Sequence, residues 1–149
     1  MFSLALKKSK GLEQYLARTA KKLNGSSTLR VGFLEGAKYP NGTPVALVAA
    51  VQNFGAPSRG IPPRPFFSSM VRERQSEWPD RIEQALKATD SDANKALQQV
   101  GHSIVADLKQ SIMDTNEPRL KQATIDRKGF EKPLIDTGVL ISSVDFEVS

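Results

Sequence analysis

Residues 45–67 read VALVAAVQNFGAPSRGIPPRPFF, and this stretch decides how the rest of the chain must be arranged. Its first half is apolar, rich in alanine and free of charge, the pattern of a helix. That helix has to stop at Asn53-Phe54-Gly55, because Pro57, Gly60, Pro62, Pro63 and Pro65 prevent any regular element from continuing. Each proline holds its own φ near about −65° and biases the residue before it toward extended geometry. Ile61 to Pro65 is therefore expected to follow a polyproline-like path with Arg64 projecting from it. A segment stiffened in this way loses little chain entropy when held in place, which suits a contact surface. The same pattern also reads as a rigid loop between elements.

Upstream, Leu29 to Leu34 has the β-branched and aromatic content of a strand, with Val31 and Phe33 on one face. Gly36 to Thr43 is a turn-rich loop, a natural place for contact with a neighbour. Thr43 is placed to cap the following helix with Pro44 at its first position. Ala46, Ala49 and Ala50 would let that helix pack closely on a sheet. Before the strand, Leu4, Leu12, Tyr15, Leu16, Thr19 and Leu23 recur at helical spacing, predicting an amphipathic helix that ends at Asn24-Gly25-Ser26-Ser27.

Downstream, helical periodicity resumes over Phe66 to Trp78, with Phe66, Phe67, Met70 and Val71 on one face, and Pro79 interrupts it. The longest helical patterns are Asp80 to Lys87 and Asp92 to Met113, separated by Asp90-Ser91-Asp92, which offers a break and an N-cap. In the second, Ala93, Leu97, Val100, Ile104, Leu108 and Ile112 form a continuous stripe, most economically a core-packing face. Met113 to Pro133 reads as a long excursion with a helical turn around Lys121 to Lys128. Asp136-Thr137-Gly138 then makes a turn or helix N-cap, and Val144, Phe146 and Val148 alternate as a closing strand. The expected fold is α+β: a small, mainly antiparallel sheet of residues 29–34 and 144–148, packed against a long helix, with flanking helices and extended loops.

The chain has 149 residues, enough for one domain and short for two. Residues 1–25 would be a basic amphipathic helix and residues 29–149 the body. Without cysteine there is no disulfide framework and no thiolate metal site, which is compatible with a reducing cytosol. No apolar run approaches the length needed to cross a bilayer, and Lys7 and Lys8 follow the mildly apolar start instead of preceding it, unlike a signal peptide. The formal net charge is +5, and Lys7, Lys8, Lys10, Arg18, Lys21 and Lys22 gather against Glu13 alone. This cluster reads as a solvated helix face, as a phosphate-binding surface for DNA, or as the complement of an acidic partner.

Little in the chain points to chemistry. His102 is the one histidine and lies inside the long helical pattern, beside its apolar stripe. Zinc would have to rely on carboxylates, and no Gly-rich spacing cradles a phosphate. Asp-Thr-Gly is also the triplet of aspartic proteases, but those need two aspartates sharing a proton. Here Asp136 reads as a turn or cap residue that accepts backbone N–H bonds. The expectation is a protein that is not an enzyme and uses no cofactor or metal.

In order along the chain stand Val31-Gly32, Ala49 to Gly55, Ile61 to Phe66, and Leu134 to Ser143 within KPLIDTGVLISSV. This ordered set resembles the tail-component family of the head-tail junction, or neck, of long-tailed bacteriophages. The resemblance covers most of the chain from Leu29 onward and departs from the family pattern at Asn53, where an acidic residue is usual. It implies a virion protein, assembled in the host cytoplasm, that forms a homo-oligomeric ring, commonly sixfold. Such a ring completes or terminates the tail and joins it to the head connector, with tail-tube or tail-terminator proteins as partners and packaged DNA nearby. On this reading the contact residues are Ile61, Pro62, Pro63, Arg64, Pro65, Phe66 and Phe67 in the ribbon, Lys121 and Lys128 in the excursion, and Asp136 and Thr137 at the late turn. Phe66 and Phe67 read as interface anchors or as ordinary core residues. The alternative class is a basic nucleic-acid-binding protein that grips DNA through the N-terminal helix.

Overall fold

The longest apolar stripe in the sequence becomes the longest helix. The computed structural model describes residues 10–23, 27–115 and 137–149, and in it α5 runs Ala93–Asp114. Asp92 caps it, its side-chain oxygen accepting the backbone N–H of Lys95 at 3.1 Å. The buried row is Ala96, Val100, Ile104, Leu108 and Ile112, one residue per turn. The stripe therefore begins at Ala96; Ala93 and Leu97 are only half-buried. Ahead of the cap, Asp90 and Ser91 both take left-handed backbone, with φ of 53° and 61°. This reverses the chain between α5 and the preceding helix, α4 (Trp78–Ala88).

Two strands, β1 (Leu29–Phe33) and β2 (Val144–Val148), pair antiparallel and form the sheet. Val31 stands opposite Phe146 and Phe33 opposite Val144, so the apolar positions of both strands fall on one side, against α5. The fold is α+β, as the alternation of residues 29–34 and 144–148 predicts. Close approach of sheet and helix depends on Gly101, where a Cβ atom would sit 2.5 Å from the Phe146 ring.

The remaining helices surround α5. α1 (Lys10–Leu23) lies ahead of β1, and its Tyr15 and Leu16 are exposed. α2 (Val45–Phe54) packs against α3 (Phe66–Arg74) and against α6 (Thr137–Ser142). The small residues of α2 do not lie on the sheet as expected: Ala49 is buried, while Ala46 and Ala50 face solvent. Pro44, not Thr43, holds the N-cap position of α2, with φ −61° and ψ 132°. The Thr43 N–H is drawn instead to the Asn41 side chain in the preceding turn. Pro79 opens α4 instead of interrupting a helix, sitting in its first turn, where a missing N–H costs nothing. A short 3-10 turn at Gln75–Glu77 joins α3 to it. The expected excursion from Met113 to Pro133 falls outside the described residues beyond Thr115.

Candidate functional interface

The stretch from α2 to α3 folds as one preorganised unit. Gly55 ends α2 with φ 74°, and its backbone lies so close to the returning ribbon that a Cβ atom would stand 2.8 Å from Pro63 N and 2.9 Å from Ile61 O. Only glycine fits there. Ala56 and Ile61 then exchange backbone hydrogen bonds at 2.9 and 3.1 Å, closing a loop around the 3-10 turn Pro57–Arg59 with Gly60 in left-handed conformation. The ribbon returns alongside α2, and the Arg64 N–H donates to the Gln52 carbonyl at 2.7 Å.

Two groups lock the far end. Asn53 is buried and its Oδ1 accepts the N–H groups of both Phe67 and Ser68 at 3.0 Å, while its Nδ2 donates to Ser68 Oγ at 2.8 Å. It therefore caps α3 from fourteen residues away in sequence, satisfying N–H groups that a helix start leaves open. On the other side, Ser111 Oγ of α5 donates to the Phe66 carbonyl at 2.6 Å.

This geometry corrects the sidedness expected for the ribbon. Arg64 does not project: it is 4% exposed, with Nη1 3.4 Å from the Pro62 carbonyl and Nε buried without a hydrogen-bond partner. Burial pushes its pKa below the ordinary arginine value. Phe66 is 1% exposed and meets Phe33 edge to face at 6.3 Å, so it is a core residue, and Phe67 packs half-buried against the same core. Of the expected contact residues, Pro63 and Pro65 are exposed, and Ile61 and Pro62 half-buried. Thr137 begins α6; Lys121, Lys128 and Asp136 lie outside the described residues.

What the unit presents outward is the far side of α2. From Val45 to Ser58 the chain carries no charge. Val45, Ala49 and Asn53 face inward, leaving Ala46, Leu47, Ala50 and Phe54 on the outer face. Leu47 is 56% exposed and Phe54, beside the Gly55 turn, 73%. Sequence reasoning passed over this face in favour of the prolines. A signal was present: a helix apolar all round is normally enclosed, and one on the surface of a single chain is left with a side to cover.

The basic cluster is only partly placed. Lys7 and Lys8 lie outside the described residues, Lys10 and Lys22 fall within α1, and Arg18 and Lys21 are exposed on it. Tyr15 and Leu16 of the same helix are 59% and 55% exposed.

Elsewhere, an open groove of about 370 Å³ runs between α3 and the end of α5, floored by Met70 and edged by Glu73 and Asp114. Among the described residues no cluster of histidine and carboxylates could hold a metal ion. His102 lies on the surface with its ring edge-on to Phe146 at 4.7 Å. Among the described residues no helix is long and apolar enough to cross a membrane. No protein-family model, curated protein or solved structure matches the chain.

Proposed function

We propose that this protein is a non-enzymatic structural component of the neck of a long-tailed bacteriophage, acting by docking alone. It would form a ring, commonly sixfold, that completes or terminates the tail and joins it to the head connector. The observation that carries the reading is the charge-free outer face of α2, with Leu47 and Phe54 exposed on a unit stiffened by Gly55 and the prolines. Exposed aromatic and aliphatic anchors on a preorganised scaffold lose little entropy on association and dominate contact energies. The ordered sequence motifs that resemble the neck family supply the biological setting. Assembly in the host cytoplasm and residence in the virion follow from that setting.

The test is complementation of particles lacking this protein. A Leu47→Glu/Phe54→Glu variant should keep the parental circular dichroism and melting temperature and yield unjoined heads and tails. Joined particles at parental yield would end the reading. Arg64 and Phe66 are unsuitable targets, because both are buried and their loss would report on folding.

A second reading rests on Arg18 and Lys21, both exposed on α1. On this reading α1 contacts DNA, and affinity should fall steeply as salt rises. Absence of binding at low salt would remove it.

A further inference from the structure

Among the described residues the sheet has two strands, so each strand is paired along one side and open along the other. The register says which backbone groups lie on the open sides. Thr28 and Ser149 exchange both backbone hydrogen bonds, and the Leu34 N–H donates to the Ser143 carbonyl, so in this antiparallel ladder the even-numbered residues of β1 face β2. The N–H and C=O groups of Leu29, Val31 and Phe33 therefore point away from β2. Those of Val144, Phe146 and Val148 point away from β1. At Phe146 the chain's own Asp145 carboxylate folds back and accepts the outward N–H at 2.8 Å, so these edge groups take a partner where one is in reach.

We propose that the open edge of β1 in one copy pairs antiparallel with the open edge of β2 in a second copy, extending the sheet from chain to chain. This rests on the ring reading above and names the contact that builds the ring. Charge selects the pairing. The one charged residue of β1 is Arg30, both charged residues of β2 are acids, Asp145 and Glu147, and all three are exposed on the solvent side of the sheet. Within the chain Arg30 meets Glu147 at 4.0 Å. A second copy's β2 would set another acid on the other flank of Arg30, an opposite-charge pair across neighbouring strands. Space is available there: a Cβ atom at Gly32, the next solvent-side position on β1, would meet nothing within 4 Å. Pairing β1 with β1 would instead oppose arginines, and pairing β2 with β2 would gather carboxylates, both destabilising.

The symmetry follows from that choice. A β1 edge meeting a β2 edge is heterologous, so each copy offers one edge and receives another, and such contacts propagate head to tail and close into a ring when the rotation per copy permits. Closure leaves no strand edge open. Pairing of like edges would stop at a dimer.

The test is charge exchange on the full chain, read by analytical ultracentrifugation. Arg30→Glu, or Asp145→Lys/Glu147→Lys, brings like charges together across the contact; the exposed positions should leave circular dichroism and melting temperature parental. Each variant alone should associate at least about tenfold more weakly than the parent. An equimolar mixture of the two should associate again, because every contact between unlike variants regains opposite charges. Glu83→Lys, on α4, should associate as the parent does. A parent that is monomeric at every concentration, variants that associate as the parent does, or a mixture that stays monomeric would each overturn the proposal. Hydrogen exchange on the unmodified protein reads the same edge: the amides of Leu29, Val31 and Phe33 should be slow where the protein associates and fast on dilution, and equal rates would also overturn it. Ultracentrifugation reads the contact and complementation reads the neck role. Association restored on mixing, with parental joining by the Leu47→Glu/Phe54→Glu variant, retires the neck reading alone; unjoined particles from that variant, with association indifferent to the charge exchange, retire this contact alone.

Discussion

Asn53 Oδ1 accepts the backbone N–H of Phe67 at 3.0 Å, so the last turn of α2 caps the first turn of α3 across the whole proline ribbon. The same oxygen takes the Ser68 N–H, and the amide nitrogen reaches Ser68 Oγ. One buried side chain thereby ties together the two helices between which the segment from Gly55 to Pro65 runs. Removing it as Asn53→Ala should cost about 1–3 kcal/mol, the penalty for buried polar groups left unpaired. For a chain of this length that corresponds to a melting-temperature drop of about 2–4 °C per kcal/mol. A thermal melt within 1 °C of the parent, a bound on the order set by that scaling, would deny the cap its role.

The site that holds Asn53 would also suit an acidic side chain, for a reason its geometry supplies. A carboxylate at this position would face two helix-start N–H groups, a site that favours negative charge. Asn53→Asp should therefore be at least as stable as the parent at neutral pH. Because the folded state would hold the aspartate pKa below its unfolded value of about 3.9, the gain is present above that value. It is lost as pH falls through the folded value. Denaturant melts of the two proteins between neutral pH and about pH 3 should cross or converge at the acid end. A gap that widens on acidification would reverse the assignment.

Gly55 gives a second, steric test of the same unit. Its φ of 74° and its approach to Pro63 N and Ile61 O leave no room for a methyl group. Gly55→Ala has to move ribbon backbone, not a flexible side-chain tip. We expect a loss of at least about 1–3 kcal/mol, combining left-handed strain with overpacking. Trypsin cleavage after Arg59 should accelerate, because the ribbon would detach before the core melts. An unchanged digestion pattern would mean that the ribbon is not held by this contact.

Arg81 joins α4 to α5 through a 2.6 Å ion pair with Asp107 and also holds Glu77 at 2.8 Å. The Asp107 hydrogen bond raises the Arg81 pKa, and hydrogen bonds from Arg81 and Arg74 lower that of Glu77. A lowered carboxyl pKa contributes stability that is present above the unfolded value of about 4.3 and is lost as pH falls through the folded value. Arg81→Met should thus destabilise the protein at neutral pH, and the difference from the parent should shrink on acidification below about pH 4. Arg81→Lys, which keeps the charge without the planar fork, should recover only part of the loss. A deficit independent of pH would point to lost packing in place of charge pairing.

The parts of the fold that sequence reading captures are those governed by local periodicity. The four-residue steps from Val100 to Ile112 and the alternation of Val144, Phe146 and Val148 specify which side of each element is buried, and both elements formed as expected. What escapes is decided by contacts distant in sequence. The ribbon's stiffness follows from its prolines, but whether Arg64 faces out or in depends on the Gln52 carbonyl that binds its N–H from the end of α2. The cap on α3 was equally hidden, since Asn53 is far outside the window in which a helix start is recognised. The outer face of α2 was visible as composition and misread as a packing surface for the sheet.

Gly101 and Phe146 provide the sharpest packing test, because the sheet meets α5 at this point with no spare space. A Cβ atom at Gly101 would lie 2.5 to 2.9 Å from three carbons of the Phe146 ring. Alanine has the higher helix propensity by about 1 kcal/mol, so on an isolated helix Gly101→Ala would stabilise. Here the clash should win, since forcing a methyl group into a close-packed contact costs about 1–3 kcal/mol and pushes β2 away from the helix. The ring cannot yield freely, as its edge contact with His102 holds it from the next position on α5. Phe146→Leu should lose stability alone and recover most of the Gly101→Ala penalty when the two are combined, because the smaller side chain opens the space the methyl group needs. A double-mutant cycle by chemical denaturation measures this coupling, expected at about 0.5–3 kcal/mol in favour of the pair. Strict additivity would show that the helix and strand do not meet through these two residues.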